Sequence, residues 1–172
     1  LVPTLEIEPG DALSENAAIL QFVAERFPEA RLAPAGPRAR ARLQQWLSFI
    51  GTELHKALYL PLLDEKAPAA VKAYALTKAD SRLSLVARWL EDREFLLDQF
   101  SVADAYLFAV LNWSQVVPVD LKAWPALVRY QKRLQVRPSI ARAFAEELEK
   151  YQAELARDRT GLPATGAPIS GQ

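Results

Sequence analysis

The sequence has no cysteine, no methionine and a single histidine in 172 residues, and each scarcity closes off a chemistry. Without cysteine there is no disulfide framework, no thiolate metal site and no cysteine nucleophile within these residues. One histidine, His55, leaves too few parts for a zinc-ligand cluster or a Ser-His-Asp constellation, and no glycine-rich phosphate loop can be assembled. An excess of one charge is missing too. The 21 basic residues meet 21 acidic ones, so no global field draws the chain to nucleic acid or to an anionic membrane. No stretch approaches the roughly eighteen uninterrupted apolar residues of a membrane span, and the first residues lack the regions of a signal peptide. A cytoplasmic location is therefore expected, with no nucleic-acid, membrane or metal partner. A chain that opens on Leu1 and holds no methionine reads as a fragment of a longer protein.

What is present is a globular composition, 51% hydrophobic and 24% charged, suited to one or two packed domains. Thr4 to Glu8 alternate as a strand does, and Pro9-Gly10-Asp11 follow as a tight turn. From Ser14 the period becomes helical, with Ala18, Ile19, Phe22, Val23 and Phe27 on one face until Pro28 stops it. The proline-rich run from Leu32 to Ala39 reads as a linker.

Beyond it the pattern is helical throughout. Residues 38–64 place Leu43, Trp46, Leu47, Ile50, Leu54 and Leu58 on one face of a long helix that ends near Pro61. Residues 70–92 repeat the pattern as its antiparallel partner. Ser101 to Gln115 has almost no polar face, which places it at the centre of a bundle. Two further helices, roughly 124–136 and 138–155, close the domain, and the Gly-, Pro- and Ser-rich tail is expected to be disordered.

Three residue sets stand out. Ser101 with Asp104 has the spacing of a capping box, with Phe100 at the staple position, a helix-start device without chemistry. Ser48, Thr52, His55 and Tyr59, spaced by four, three and four, share a helix face beside the apolar stripe. Read alone, His55 is a surface or boundary residue. The arginines at 38, 40 and 42, and later Arg129, Lys132, Arg133 and Arg137, read as solvated helix faces because acids alternate with them.

Val2-Pro3-x-Leu5, then Leu13-Ser14-Glu15-Asn16-Ala17-Ala18-Ile19, then Phe100-Ser101-Val102-Ala103-Asp104-Ala105-Tyr106 resemble, in order and spacing, the glutathione transferases. Phe49 to Lys56 looks most like the bacterial beta-class members. The resemblance implies an α+β/all-α architecture. Residues 1–31 would be the C-terminal part of a thioredoxin-like glutathione-binding domain, 32–39 the linker, 40–157 an all-helical domain and 158–172 a disordered tail. The opening strand, helix and second strand of the small domain, with the main catalytic residue, would be absent from the chain.

The family match also implies an activity and a site. Reduced glutathione, a co-substrate rather than a cofactor, would be conjugated as its thiolate to a hydrophobic electrophile, a detoxification chemistry, by a homodimer. A non-catalytic binding module and a glutathione-dependent thiol reductase are the alternatives that the fold allows. Pro3 read alone opens an edge strand in trans; the resemblance implies a cis bond that turns the Val2 backbone toward the glutathione peptide. Ser14-Glu15-Asn16 read alone is an N-cap. The resemblance makes it the seat of the γ-glutamyl group, whose carboxylate suits a helix N-terminus and whose ammonium suits Glu15. The family has Ser or Gly where Asn16 stands. Val2, Glu15, Asn16, Ser48, Thr52, Glu53, Leu54 and His55 are thus the implied glutathione-binding residues. His55 is the implied auxiliary catalytic residue, and Lys56 is either a solvated lysine or a charge that lowers the thiol pKa. Tyr59 and Trp113 would line the electrophile pocket.

Overall fold

The structure is a computed structural model that describes residues 3–160. Val2 with its expected cis bond, and the tail from 161 onward, lie outside the described residues.

The N-terminal piece is a hairpin and a helix. Strand β1, Thr4–Glu8, pairs antiparallel with β2, Asp11–Ser14, in a register that sets Leu5 opposite Leu13 and Thr4 opposite Ser14. The chain turns at Gly10, whose φ of 83° a side chain would oppose. The Gly10 amide donates to the Glu6 carboxylate at 3.1 Å. The sequence pattern predicts one strand, a turn and a helix. β2 is absent from that reading because four residues are too few to show alternation. Ser14 accordingly closes β2, and helix α1 is Asn16–Arg26.

One long run of helical backbone follows the linker: α2, Pro37–Phe49, a π-helical segment, Ile50–Tyr59, and α3, Leu60–Leu63. Proline at its first position has no amide to waste there. The run ends at Leu63, just past Pro61. The proline has no N–H for the Ala57 carbonyl and its ring crowds that group, so the ladder widens, and the Leu60 amide bonds the His55 carbonyl five residues back. The predicted stripe is buried as expected, with Leu43, Leu47, Ile50, Leu54 and Leu58 at most 2% exposed. Each such side chain contributes about 1.5–3 kcal/mol by leaving water.

The single helix expected over 70–92 is two, α4, Ala69–Thr77, and α5, Ala79–Leu90. The reason is local. The Thr77 hydroxyl donates back to the Tyr74 carbonyl at 2.7 Å, and the Lys78 amide bonds Ala75 three residues back, tightening and breaking the turn. Both helices pack on the π-helical segment.

Helix α6, Val102–Asn112, runs through the core, with Ala103, Asp104, Leu107, Val110 and Leu111 fully buried. The capping box at its start is formed. The buried Asp104 carboxylate accepts from the Ser101 amide and hydroxyl at 2.9 Å each, from the Leu96 amide at 2.8 Å and from the Tyr130 hydroxyl at 3.0 Å. Helix α7, Pro125–Gln135, and helix α8, Pro138–Thr160, follow. The chain divides into two compact units, one running to Arg133 and one beginning at Leu134. Every residue of the candidate site lies in the first. No helix among the described residues is long and apolar enough to cross a membrane.

Candidate functional site

The turn into α1 meets the π-helical segment through one tyrosine. Glu15, the residue before the helix, holds φ 70° and ψ 118°. A non-glycine residue there stores about 1–3 kcal/mol of strain, which persists only where surrounding structure imposes it. The conformation feeds its carbonyl to the Ala18 and Ile19 amides at 3.0 Å each and opens the helix N-terminus beside its own exposed carboxylate. Asn16 follows, and its side chain hydrogen-bonds the Tyr106 phenol. The same phenol oxygen lies 2.8 Å from His55 Nδ1.

Three elements distant in sequence thus converge on the Tyr106 hydroxyl. Burial raises the Tyr106 pKa, and the Asn16 bond opposes that rise, as donation to the phenol oxygen does. The His55 pKa is lowered, first by burial and then by the neighbouring Lys56 charge, so the ring is neutral at pH 7. The arrangement that satisfies all three groups has the Asn16 amide donating to the phenol oxygen and the phenol proton directed at Nδ1. The His55 proton then sits on Nε2. Trp113 packs edge-on against the imidazole at 4.8 Å between ring centroids, which fixes the ring. Gly51 faces the tyrosine, and a methyl group on its Cα would sit 3.6 Å from the Tyr106 hydroxyl, in ordinary van der Waals contact.

The sequence-derived residues divide. Glu15, Asn16 and His55 come together, and Lys56 Nζ lies 3.9 Å from the Glu15 carboxylate, both exposed. Ser48 and Thr52 lie exposed along the same helix, tied by the Thr52 hydroxyl donating to the Ser48 carbonyl at 3.0 Å. Glu53 turns away to pair with Arg82 at 2.5 Å. Leu54 is fully buried in the core, so its side chain meets no ligand. Tyr59 is also fully buried, with its hydroxyl 2.6 Å from Ser114 Oγ and its pKa pushed up to about 12, chiefly by burial. Of the two aromatic residues expected to line a pocket, only Trp113 is partly exposed. Tyr106 is the residue that sequence reasoning missed as a site member. It is one apolar-looking position in a helix buried nearly all round, 51 residues from His55, and no spacing rule links the two.

Comparison with known proteins gives the family of the chain. The model of the glutathione S-transferase C-terminal domain matches residues 49–138. Glutathione S-transferase GstA of Escherichia coli O157:H7 is 33% identical over 148 residues, 85% of this chain and 73% of that protein. A sphingomonad glutathione S-transferase solved in complex with glutathione is 38% identical with a TM-score of 0.79, and a bacterial beta-class enzyme of Sphingomonas chungbukensis is 40% identical with a TM-score of 0.80. Each comparison covers 86% of this chain and 74% of that structure. The chain belongs to the glutathione S-transferase family, and a bacterial beta-class member is among the structures it resembles. The α+β piece followed by a helical domain is the architecture those relatives share with it.

Proposed function

We propose that the protein binds reduced glutathione where Glu15 and Asn16 meet His55, and transfers it as the thiolate to hydrophobic electrophiles. The observation that carries this is the hydrogen-bonded link from Asn16 through Tyr106 to His55. It ties the turn suited to the γ-glutamyl end to a ring able to donate toward a sulfur. At the turn, the first amides of α1 take the α-carboxylate, since a helix N-terminus leaves them without intrahelical partners. The Glu15 carboxylate takes the ammonium.

Conjugation needs the thiol to lose its proton to solvent and the sulfur pair to bond the electrophilic carbon as the leaving group departs. The thiolate is the reactive form, so whatever stabilises it near pH 7 is catalytic. A neutral His55 with its proton on Nε2 donates one hydrogen bond to that charge, and the Lys56 ammonium adds an attraction. The partly exposed Trp113 face supplies apolar surface for the electrophile. A homodimeric, cytoplasmic, detoxifying enzyme belongs to the same reading. Support comes from the glutathione complex of the sphingomonad relative.

Calorimetry with reduced glutathione and an arylation assay on the full-length protein test it together. Binding with turnover is expected, and His55→Ala should lower kcat/KM by about tenfold or more, the value of one hydrogen bond to a charge, with the melting temperature little changed. A protein that neither binds glutathione nor arylates it would end the proposal.

A further inference from the structure

An open cleft of about 1370 Å³ lies beside the linker, away from His55, between the end of α1, the start of α2 and the segment after α5. Five arginines line it, Arg31, Arg38, Arg40, Arg42 and Arg93, against two carboxylates, Glu25 and Asp98. In a chain whose 21 basic and 21 acidic residues cancel, this is a concentration of one sign. Arg40 pairs with Glu25. Among the described residues, none of the other four arginines has a carboxylate within ion-pairing distance.

Two details make the cleft electrostatically unsatisfied. Helix α2 opens into it with no acidic residue in its first turn and no side-chain cap, and it places Arg38 and Arg40 in that turn, at its own positive end. Cations there are repelled by the helix dipole, and an anion is attracted. Two guanidiniums are also held on one ring: Arg93 lies 4.2 Å and Arg42 5.6 Å from the Trp89 centroid. Arg93 is pinned there by its bond to the Trp89 carbonyl at 2.9 Å, and the Trp89 indole is pinned in turn to the Leu96 carbonyl at 3.0 Å. The arginines at 38, 40 and 42 are exposed, as their spacing suggests, but they do not fan out along the helix. They are gathered onto one concave surface.

We propose that this cleft is a binding site for a small multiply charged oxyanion of the polyphosphate class. Guanidinium forks match phosphate oxygens in pairs, and several converging forks reward a ligand with several charges over a single carboxylate. The site is separate from the glutathione site and does not depend on the activity proposed above.

Titration calorimetry of the full-length protein with sodium tripolyphosphate tests it. Saturable binding is expected, undiminished by saturating glutathione, weakened at higher salt, and equal for ATP because Trp89, the one aromatic lining residue, is already engaged by guanidiniums. Arg38→Gln should weaken it about tenfold, the worth of one charge-assisted hydrogen bond, and Arg93→Gln likewise. Arg38 is exposed and sits at an unfavourable helix end, so Arg38→Gln should melt no lower than the parent even if Arg93→Gln disturbs Trp89. Lys132→Gln, exposed on α7, should change nothing. No saturable binding, displacement by glutathione, or equal loss in the Lys132 variant would each overturn the proposal.

Discussion

At the scale of single residues, the site rests on departures from what a side chain does in water. His55 has a depressed pKa from burial first and Lys56 second. A histidine held below its ordinary value favours the fold above that value, and this contribution fades as pH falls through 6.5 toward the native midpoint. Lys56→Ala should therefore raise the His55 midpoint toward 6.5 without reaching it, because burial remains. NMR titration reads this without assignment work, since His55 is the only histidine. A midpoint that stays put would mean that the Lys56 charge is screened. Glu15 departs in backbone rather than charge, at φ 70°. Glycine accepts that region freely, so Glu15→Gly should leave stability unchanged or raise it by about 1 kcal/mol while glutathione affinity falls. Thermal melts beside calorimetry separate the two. A loss of both stability and affinity would assign Glu15 to the fold alone. The strain at Glu15 is not legible in the sequence, where Ser-Glu-Asn reads as an ordinary helix start.

At the scale of elements, the capping box was legible and its reach was not. Serine followed three positions later by aspartate announces the start of α6. The Asp104 carboxylate also collects the Leu96 amide and the Tyr130 hydroxyl, joining the loop before α6 and the helix α7 to one buried group. Burial raises the Asp104 pKa, and the hydrogen bonds from Leu96, Ser101 and Tyr130 offset part of that rise. An acid whose native pKa is raised binds its proton more tightly when folded, so this group resists acid unfolding rather than promoting it. Asp104→Ala would strand several buried donors at about 1–3 kcal/mol each, enough to consume much of a domain's stability. Tyr130→Phe removes one donor and should cost about 1 kcal/mol. Denaturant melts would rank the two, and an Asp104→Ala protein as stable as the parent would refute the network. The π-helical segment is the opposite case. Pro61 reads as a stop signal and the helix does end just past it, at Leu63, but the widened turn before it, which includes His55, was not legible.

At the scale of the whole molecule, glutathione should stabilise the protein if the first unit binds it in the folded state only. At a free concentration of about a hundred times Kd the gain is about 2.7 kcal/mol, visible as a rise in melting temperature that His55→Ala diminishes at the same concentration. An unshifted melt at that concentration would contradict a native site. The sequence alone settled the helical majority, the buried stripe from Leu43 to Leu58 and the central place of α6, because period and proline act over a few residues and need no partner. It also carried the family, through short motifs in a set order. Only the tertiary structure decided that Asn16, His55 and Tyr106 share one hydrogen-bonded point, that Leu54 and Glu53 turn away from it, and that arginines spaced along a helix gather in one cleft. Those are meetings between segments tens of residues apart, and side-chain direction across a packed interface is set by the packing, which no local spacing encodes.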